Sequence, residues 1–330
     1  MNKNILSGMR PTGPLHIGHL FGAIANWKRL QDEGYNCFYM IADYHALSTE
    51  YSSMQNIKAH VEEVAMDFIA SGIDPEKATI FVQSMVPGHA ELHLLFSMIV
   101  PTPWLERNPV YKEQKKELVD KDINTYGFLG YPVLQAADIL IYKAAYVPIG
   151  RDQLPHLELT REIAARFNHI FGETFPIPEA LLTKTPKIPG TDNRKMSKSY
   201  NNSIYLKDEP GAIKEKVSKM FTDPLRIYKK DPGHPETCPV FTYHKLFNGD
   251  ERVERIKKDC KGAAIGCTEC KKELGEILPA YLESIREKRA LLEKNKEALW
   301  DILNRGTEKA KKVAEETIRE AKSRTGLRYG

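Results

Sequence analysis

Two histidines three residues apart carry the first chemistry of this chain. His16 and His19 sit in the run Ser7-Gly8-Met9-Arg10-Pro11-Thr12-Gly13-Pro14-Leu15-His16-Ile17-Gly18-His19. A spacing of three places both imidazoles on one helix face. Gly8 and Gly13 would let the backbone turn tightly after a strand, and Pro14 suits a helix's first turn. A helix N-terminus aims free N–H groups at an anion and favours neutral imidazoles, which can donate hydrogen bonds. Gly18 removes a side chain and would let a flat ring approach. The set suits nucleotide phosphates. Histidine-rich helix starts also serve as caps and metal ligands, but no third ligand lies nearby in sequence.

Three further clusters invite chemistry. Lys195-Met196-Ser197-Lys198-Ser199 holds two ammoniums three apart, flanked by hydroxyls. Such mobile charges can surround a triphosphate and follow pyrophosphate as it leaves. In Tyr131-Pro132-Val133-Leu134-Gln135-Ala136-Ala137-Asp138-Ile139-Leu140-Ile141-Tyr142, the residues Tyr131, Gln135, Asp138 and Tyr142 share one helix face in apolar company. A carboxylate there is costly without a partner, either a Lys or Arg of the fold or a ligand. An indole N–H, donor only, fits it; so does a phenol, so Asp138 alone does not separate tryptophan from tyrosine. Cys238, Cys260, Cys267 and Cys270 include one C-x-x-C pair. Zinc sites more often use two such pairs, and four thiolates can equally hold a [4Fe–4S] cluster.

These groups need elements to position them. Asn4–Ser7, Cys37–Ala42, Thr79–Gln83 and Tyr146–Ile149 read as strands, alternating with helices over Leu15–Leu30, Ser53–Ala70, Pro132–Ala144 and Leu154–Asn168. The rhythm predicts an α/β fold with a doubly wound, parallel, Rossmann-like sheet. Residues 87–125 interrupt it as an insertion. Leu181–Asn202 reads as a loop. Helices over Gly211–Phe221, Val240–Phe247, Arg252–Lys258 and Lys271 to about Arg324 predict a C-terminal all-helical domain. The expected division is 1–200 and 201–330. Gly150-Arg151-Asp152-Gln153 follows a strand and precedes a helix, the usual ligand position in parallel sheets.

The 330 residues are 42% hydrophobic and 28% charged, which suits a chain with a substantial core, and no apolar run is long enough to span a bilayer. The N-terminus lacks a signal peptide's apolar stretch, so a cytoplasmic location is expected. Net charge is +4. Lys184 to Lys230 holds 12 Lys/Arg against 5 Asp/Glu, a local +7, leaving −3 elsewhere. That concentration suggests phosphate contacts.

Pro14-Leu15-His16-Ile17-Gly18-His19 resembles the HIGH motif of class I aminoacyl-tRNA synthetases, with His in its last place. Lys195-Met196-Ser197-Lys198-Ser199 matches that class's KMSKS motif. The resemblance implies that His16, His19, Lys195 and Lys198 stabilise the transferring phosphate of ATP, with Mg²⁺ shared by the phosphates. It places Arg10 (where many relatives carry glutamine), Pro11, Thr12, Gly18, Gly150, Arg151, Asp152, Ile188, Met196, Ser197 and Ser199 around ATP, with Asp152 at its ribose.

The stretch from Tyr131 to Asp138 resembles the tryptophanyl branch. There Asp138 would bind the indole nitrogen of L-tryptophan, Tyr131 and Gln153 its ammonium, and Gln135, His45 and Leu6 would line the pocket. The tyrosyl branch, the nearest alternative, usually carries a tyrosine where Leu6 stands. A non-tRNA nucleotidyltransferase and a non-catalytic RNA-binding paralogue are more distant readings. A bacterial subset of the branch has similar cysteine spacing and binds a [4Fe–4S] cluster near its anticodon-recognition region, with zinc the second reading here. The resemblance further implies a tRNA(Trp) partner held by basic residues and the helical half, and a homodimer formed through the insertion, where apolar residues from Leu92 to Trp104 could serve.

Overall fold

The computed structural model describes residues 3–117, 123–182 and 188–329. Residues 118–122 of the expected insertion and 183–187 of the expected loop, Lys184 among them, lie outside this set. The chain forms two compact units. One comprises Met1–Gly13, Ala23–Lys184 and Asn295–Gly330; the other comprises Pro14–Gly22 and Thr185–Lys294.

The first unit is built on five parallel strands: β1 (Asn4–Met9), β2 (Asn36–Ile41), β3 (Ala78–Val82), β4 (Tyr146–Ile149) and β5 (Glu179–Leu182). Their order is β3-β2-β1-β4-β5, with Leu6 opposite Phe38 and Ile5 opposite Tyr146. The chain winds outward from β1 to β3, then returns to the other side of β1. The strand order therefore reverses between β1 and β4, where open α/β sheets bind ligands. Both segments that leave the sheet there, Arg10–Thr12 and Gly150–Gln153, are candidate site residues. β2 is buried along nearly its whole length, as parallel strands covered on both faces are. β5 was not expected. It is only four residues long and borders a Pro-rich stretch, so its strand signal is weak.

Helices α1 (Ala25–Asp32), α2 (Asp43–Glu50), α3 (Ile57–Ala70), α4 (Gly88–Ser97), α5 (Tyr126–Ile141) and α6 (Leu154–Phe171) complete this unit, with two short helices at Thr102–Glu106 and Pro109–Glu117. The expected helix starting at Pro132 in fact begins six residues earlier, with Pro132 inside it. Thr125 caps it, its Oγ1 accepting from the Phe128 N–H at 3.2 Å. Gly127, Gly130 and Pro132 mask the helix locally, and burial of Phe128, Val133 and Ala136 in the core supplies what propensity lacks. Trp27 stacks on Tyr39 at 4.6 Å, and the Tyr39 hydroxyl donates to the Trp27 carbonyl at 2.8 Å.

In the second unit lie helices α7 (Pro210–Ser218), α8 (Pro239–Phe247), α9 (Asp250–Lys261) and α10 (Cys267–Lys294); α7 and α10 bury Ile213, Val217, Leu278 and Leu282, while Val253 and Ile256 of α9 cluster with Phe241 of α8. The last helix, α11 (Lys296–Arg324), belongs to the first unit. A Cβ at Gly306 of α11 would fall 1.9 Å from the Ile80 carbonyl of β3, so that contact is backbone to backbone.

The expected helix over Leu15–Leu30 is instead three pieces: a turn at Ile17–His19, a π-helical stretch at Leu20–Ile24, and α1. Pro14 precedes the helical turn rather than starting it, and His16 is its N-cap. Of the two glycines expected to turn, Gly13 does so, with φ 110°. Gly8 lies within β1 for a different reason: a Cβ there would sit 2.7 Å from the Met40 carbonyl.

Candidate active site

In the second unit, the histidine segment and the lysine loop meet. His16 forms an antiparallel bridge with Tyr205; Ile17 N–H donates to the Ile204 carbonyl at 3.0 Å, and Leu206 N–H to the Leu15 carbonyl at 2.9 Å. The segment just after the lysine loop thus holds the histidines in place. The two imidazole rings lie 3.7 Å apart, centroid to centroid. The His16 backbone N–H donates to His19 Nδ1 at 3.2 Å, so the proton of a neutral His19 sits on Nε2. His16 is buried, and its Nδ1 makes no hydrogen bond. A Cβ at residue 18 would lie 2.9 Å from the His16 ring and 3.6 Å from Met196 Sδ. Gly18 therefore admits the ring, and Met196 packs against the same spot.

Burial, then the charge of Lys198, pushes His16 down to about 4. Burial, then His16 and Lys198, holds His19 well below the usual imidazole range. Both rings are neutral at pH 7 and sit beside an ammonium, an arrangement that can receive polyanionic phosphate. The loop is fixed from beneath by Asn202, 1% exposed. Its Nδ2 donates to Asp192 Oδ1 at 2.7 Å and to the Lys195 carbonyl at 3.1 Å, and its Oδ1 accepts from the Ser197 N–H at 2.8 Å. Lys195 and Ser199 remain exposed, Ser197 bonds Ser199 through its hydroxyl at 2.9 Å, and Ile188 is buried at the loop's start.

In the first unit, Asp138 is 1% exposed on α5. Its partners are neither lysine nor arginine. His45 Nε2 lies 2.7 Å from Oδ2; Gln83 Nε2 and His89 Nδ1 lie 2.8 and 2.6 Å from Oδ1. Burial opposes ionisation, but His45 and His89 together outweigh it and hold the carboxyl well below its ordinary range. The group is an ionised, acceptor-only centre.

Tyr131 is buried, with its hydroxyl 3.0 Å from His156 Nε2 and its ring 6.5 Å from that of His45, edge to face. Gln135 is half-buried on the same helix, while Leu6 is buried in the main core. Arg10 is exposed and donates to Thr49 Oγ1 at 3.2 Å; Pro11 is buried and Thr12 half-buried. After β4, a Cβ at Gly150 would fall 2.6 Å from Asp152 Oδ1, so the turn needs glycine there. Arg151 and Asp152 are exposed, and Gln153 Nε2 donates to Asp152 Oδ2 at 3.3 Å.

All four clustered cysteines line one small cavity of the second unit, with Asp223, Arg226 and Lys271. None forms a disulfide. Arg226 points a guanidinium nitrogen at Cys267 Sγ, 3.8 Å away. Among the described residues no group of three or more His, Cys, Asp or Glu side chains is gathered closely enough to hold a metal ion.

A family model for class I tRNA synthetases of the tryptophan and tyrosine type matches residues 2–283. The chain belongs to this family. Among curated relatives, the tryptophan–tRNA ligase of Thermotoga maritima is 51% identical, covering 98% of this chain and 99% of its own; that of Aquifex aeolicus is 44% identical over the same shares. A solved Campylobacter jejuni tryptophanyl-tRNA synthetase, complexed with ADP and tryptophan, is 34% identical with a TM-score of 0.89, covering 98% of this chain and all of that one. Around these candidate groups stand side chains that the sequence did not flag: Gln83, His89 and His156 in the first unit and Asn202 in the second. Each is a buried polar residue whose partner lies far along the chain, or, for Asn202, whose partners are mostly backbone. Only the unexplained polarity of Gln83 and His89 next to apolar runs hinted at them.

Proposed function

We propose that the tryptophan–tRNA ligase reaction of this synthetase runs through the groups described above. The amino-acid carboxylate attacks the α-phosphorus of ATP, forming tryptophanyl-adenylate and releasing pyrophosphate. The terminal ribose hydroxyl of tRNA(Trp) then takes the acyl group. No protein nucleophile is required; the chain supplies positioning and charge. His19 donates from Nε2 and His16 from its ring to phosphate oxygens, while Lys195 and Lys198 follow the departing pyrophosphate. Gly18, Met196, Ser197, Ser199 and Ile188 shape the nucleotide's bed. In the first unit, Arg10, Pro11, Thr12, Gly150, Arg151 and Asp152 are assigned to ATP, Asp152 to its ribose. Mg²⁺ would ride on the phosphates and add positive charge.

Asp138 accepts from the indole N–H, Tyr131 and Gln153 take the ammonium, and Gln135, His45 and Leu6 shape the pocket. The observation that carries this reading is the ionised, buried Asp138. A site built around such an acceptor rejects ligands that cannot donate to it, since the carboxylate would lose a partner. Asp138→Asn replaces one carboxylate oxygen with an N–H₂, which must face either the donors of Gln83 and His89 or that of His45. Tryptophan-dependent exchange of pyrophosphate into ATP should fall at least about 100-fold, with the ATP KM changed little, a loss of about 3 kcal/mol or more. Unchanged exchange contradicts the assignment.

We also propose that Cys238, Cys260, Cys267 and Cys270 hold a [4Fe–4S] cluster, with Zn²⁺ the second reading. Their shared cavity supports this. A single zinc ion needs four sulfurs each about 2.3 Å from one point. A cube bears its ligands on four separate irons, so its thiols can stand further apart. Arg226 beside Cys267 would offset thiolate charge. The basic segment after Ile188 and helices α7–α10 would hold tRNA phosphates. Assembly as a homodimer through residues 87–125 and action in the cytoplasm complete the proposal. Among the described residues, no helix is long and apolar enough to cross a membrane.

A further inference from the structure

The buried carboxylate of Asp138 is surrounded asymmetrically. Oδ1 receives two donors, Gln83 Nε2 and His89 Nδ1, which fill both of its in-plane directions. Among the described residues Oδ2 receives one, from His45, and none of them takes its second direction. The donors on Oδ1 are themselves fixed. Gln83 Oε1 accepts from the Tyr44 backbone N–H at 3.1 Å, so its amide nitrogen must face the carboxylate. His89 Nε2 lies 2.8 Å from the Tyr142 hydroxyl. That hydroxyl can donate to Nε2 and thereby keep the His89 proton on Nδ1, aimed at Asp138. His89 is wholly buried, between Phe81 at 6.0 Å and Tyr142 at 5.4 Å, centroid to centroid.

We propose that His89, with its tautomer set by Tyr142, is a positioning residue for tryptophan recognition: it locks Oδ1 and presents Oδ2 as the one acceptor for the ligand's N–H. The relay runs Tyr142 Oη–H to His89 Nε2, then His89 Nδ1–H to Asp138 Oδ1. It touches no substrate and acts through the direction of one carboxylate. This rests on the assignment of Asp138 to the indole.

The test is steady-state pyrophosphate exchange on the full chain, with separate KM values for tryptophan and ATP. Tyr142→Phe removes one hydroxyl and keeps the packing; His89→Asn keeps an N–H at the Nδ1 position; His89→Gln and His89→Leu do not. The expected result is a tryptophan KM raised at least about tenfold in Tyr142→Phe, His89→Gln and His89→Leu, with the ATP KM within about twofold and substantial rescue in His89→Asn. Equal tryptophan KM in Tyr142→Phe and the unaltered chain overturns the relay. So does equal loss in His89→Asn and His89→Leu, or a parallel rise in the ATP KM. Circular dichroism on His89→Leu separates misfolding from a displaced carboxylate, and Tyr142→Phe decides the matter if that variant does not fold. If Asp138→Asn leaves tryptophan activation intact, the indole assignment itself has failed. If Asp138→Asn is inactive while Tyr142→Phe behaves like the unaltered chain, only the relay has failed.

Discussion

Gly18 shows how much a single position can carry. Its missing side chain makes room for the His16 ring, which a Cβ would meet at 2.9 Å. Gly18→Ala should cut the exchange kcat at least about tenfold with the tryptophan KM little changed, and equal kcat in stopped-time assays contradicts the packing argument. His16 and His156 make an acid prediction. Burial takes both down to about 4, from an ordinary value near 6.5. Between those values the unfolded chain binds protons that the native chain refuses, so native stability falls as pH drops from about 6.5 toward 4. His156→Gln removes one of these groups and should flatten the fall of the urea midpoint between pH 7 and 5. An identical fall in both proteins contradicts a neutral, buried His156. His16, His19, Lys195 and Lys198 stand out in the sequence because they sit in short runs whose residue types suit phosphate, and the structure brings the two imidazoles together with the charge of Lys198 beside them. The supports do not stand out. Asn202, Gln83 and His89 act across 5 to 55 residues of sequence, and no local pattern encodes that reach.

Elements were readable where hydrophobic period and punctuation agreed. β2 and β3, with their unbroken apolar runs, and α6, closed by Gly172 in the left-handed region, lie within a few residues of where the pattern places them. They were misread where the breakers pointed the wrong way. α5 starts at Tyr126 although glycines and a proline fall within its first seven residues, because the cap at Thr125 and burial outweigh the local cost. Thr125→Ala should lower stability by about 1 kcal/mol, which for a chain of this size is a melting-temperature drop of roughly 1–2 °C. No shift in a calorimetric scan removes the cap from the explanation. The contact of α11 with β3 is tighter still. Gly306→Ala would drive a methyl into the Ile80 carbonyl, and the melting temperature should fall more than with Thr125→Ala; a smaller fall would mean that the helix can slide. The π-helical stretch at Leu20–Ile24 had no visible signal, since nothing in Leu-Phe-Gly-Ala-Ile separates a widened turn from an α-helical one.

At the scale of the whole molecule, the fold class followed from strand and helix alternation, and the family match over residues 2–283 agrees with it. The four-cysteine cavity makes a compositional prediction: protein purified without air should carry about four irons per chain, and stoichiometric zinc would replace the cluster assignment. The central claim is that a phosphate-gripping pair of motifs and an indole-accepting carboxylate serve one reaction with one amino acid. Pyrophosphate exchange into ATP, measured with each of the twenty amino acids, tests it most directly. Exchange with tryptophan, exceeding that with phenylalanine, which has no ring donor for Asp138, by a factor on the order of 10⁴, is the predicted result. Exchange driven by tyrosine, or by no amino acid at all, would contradict it.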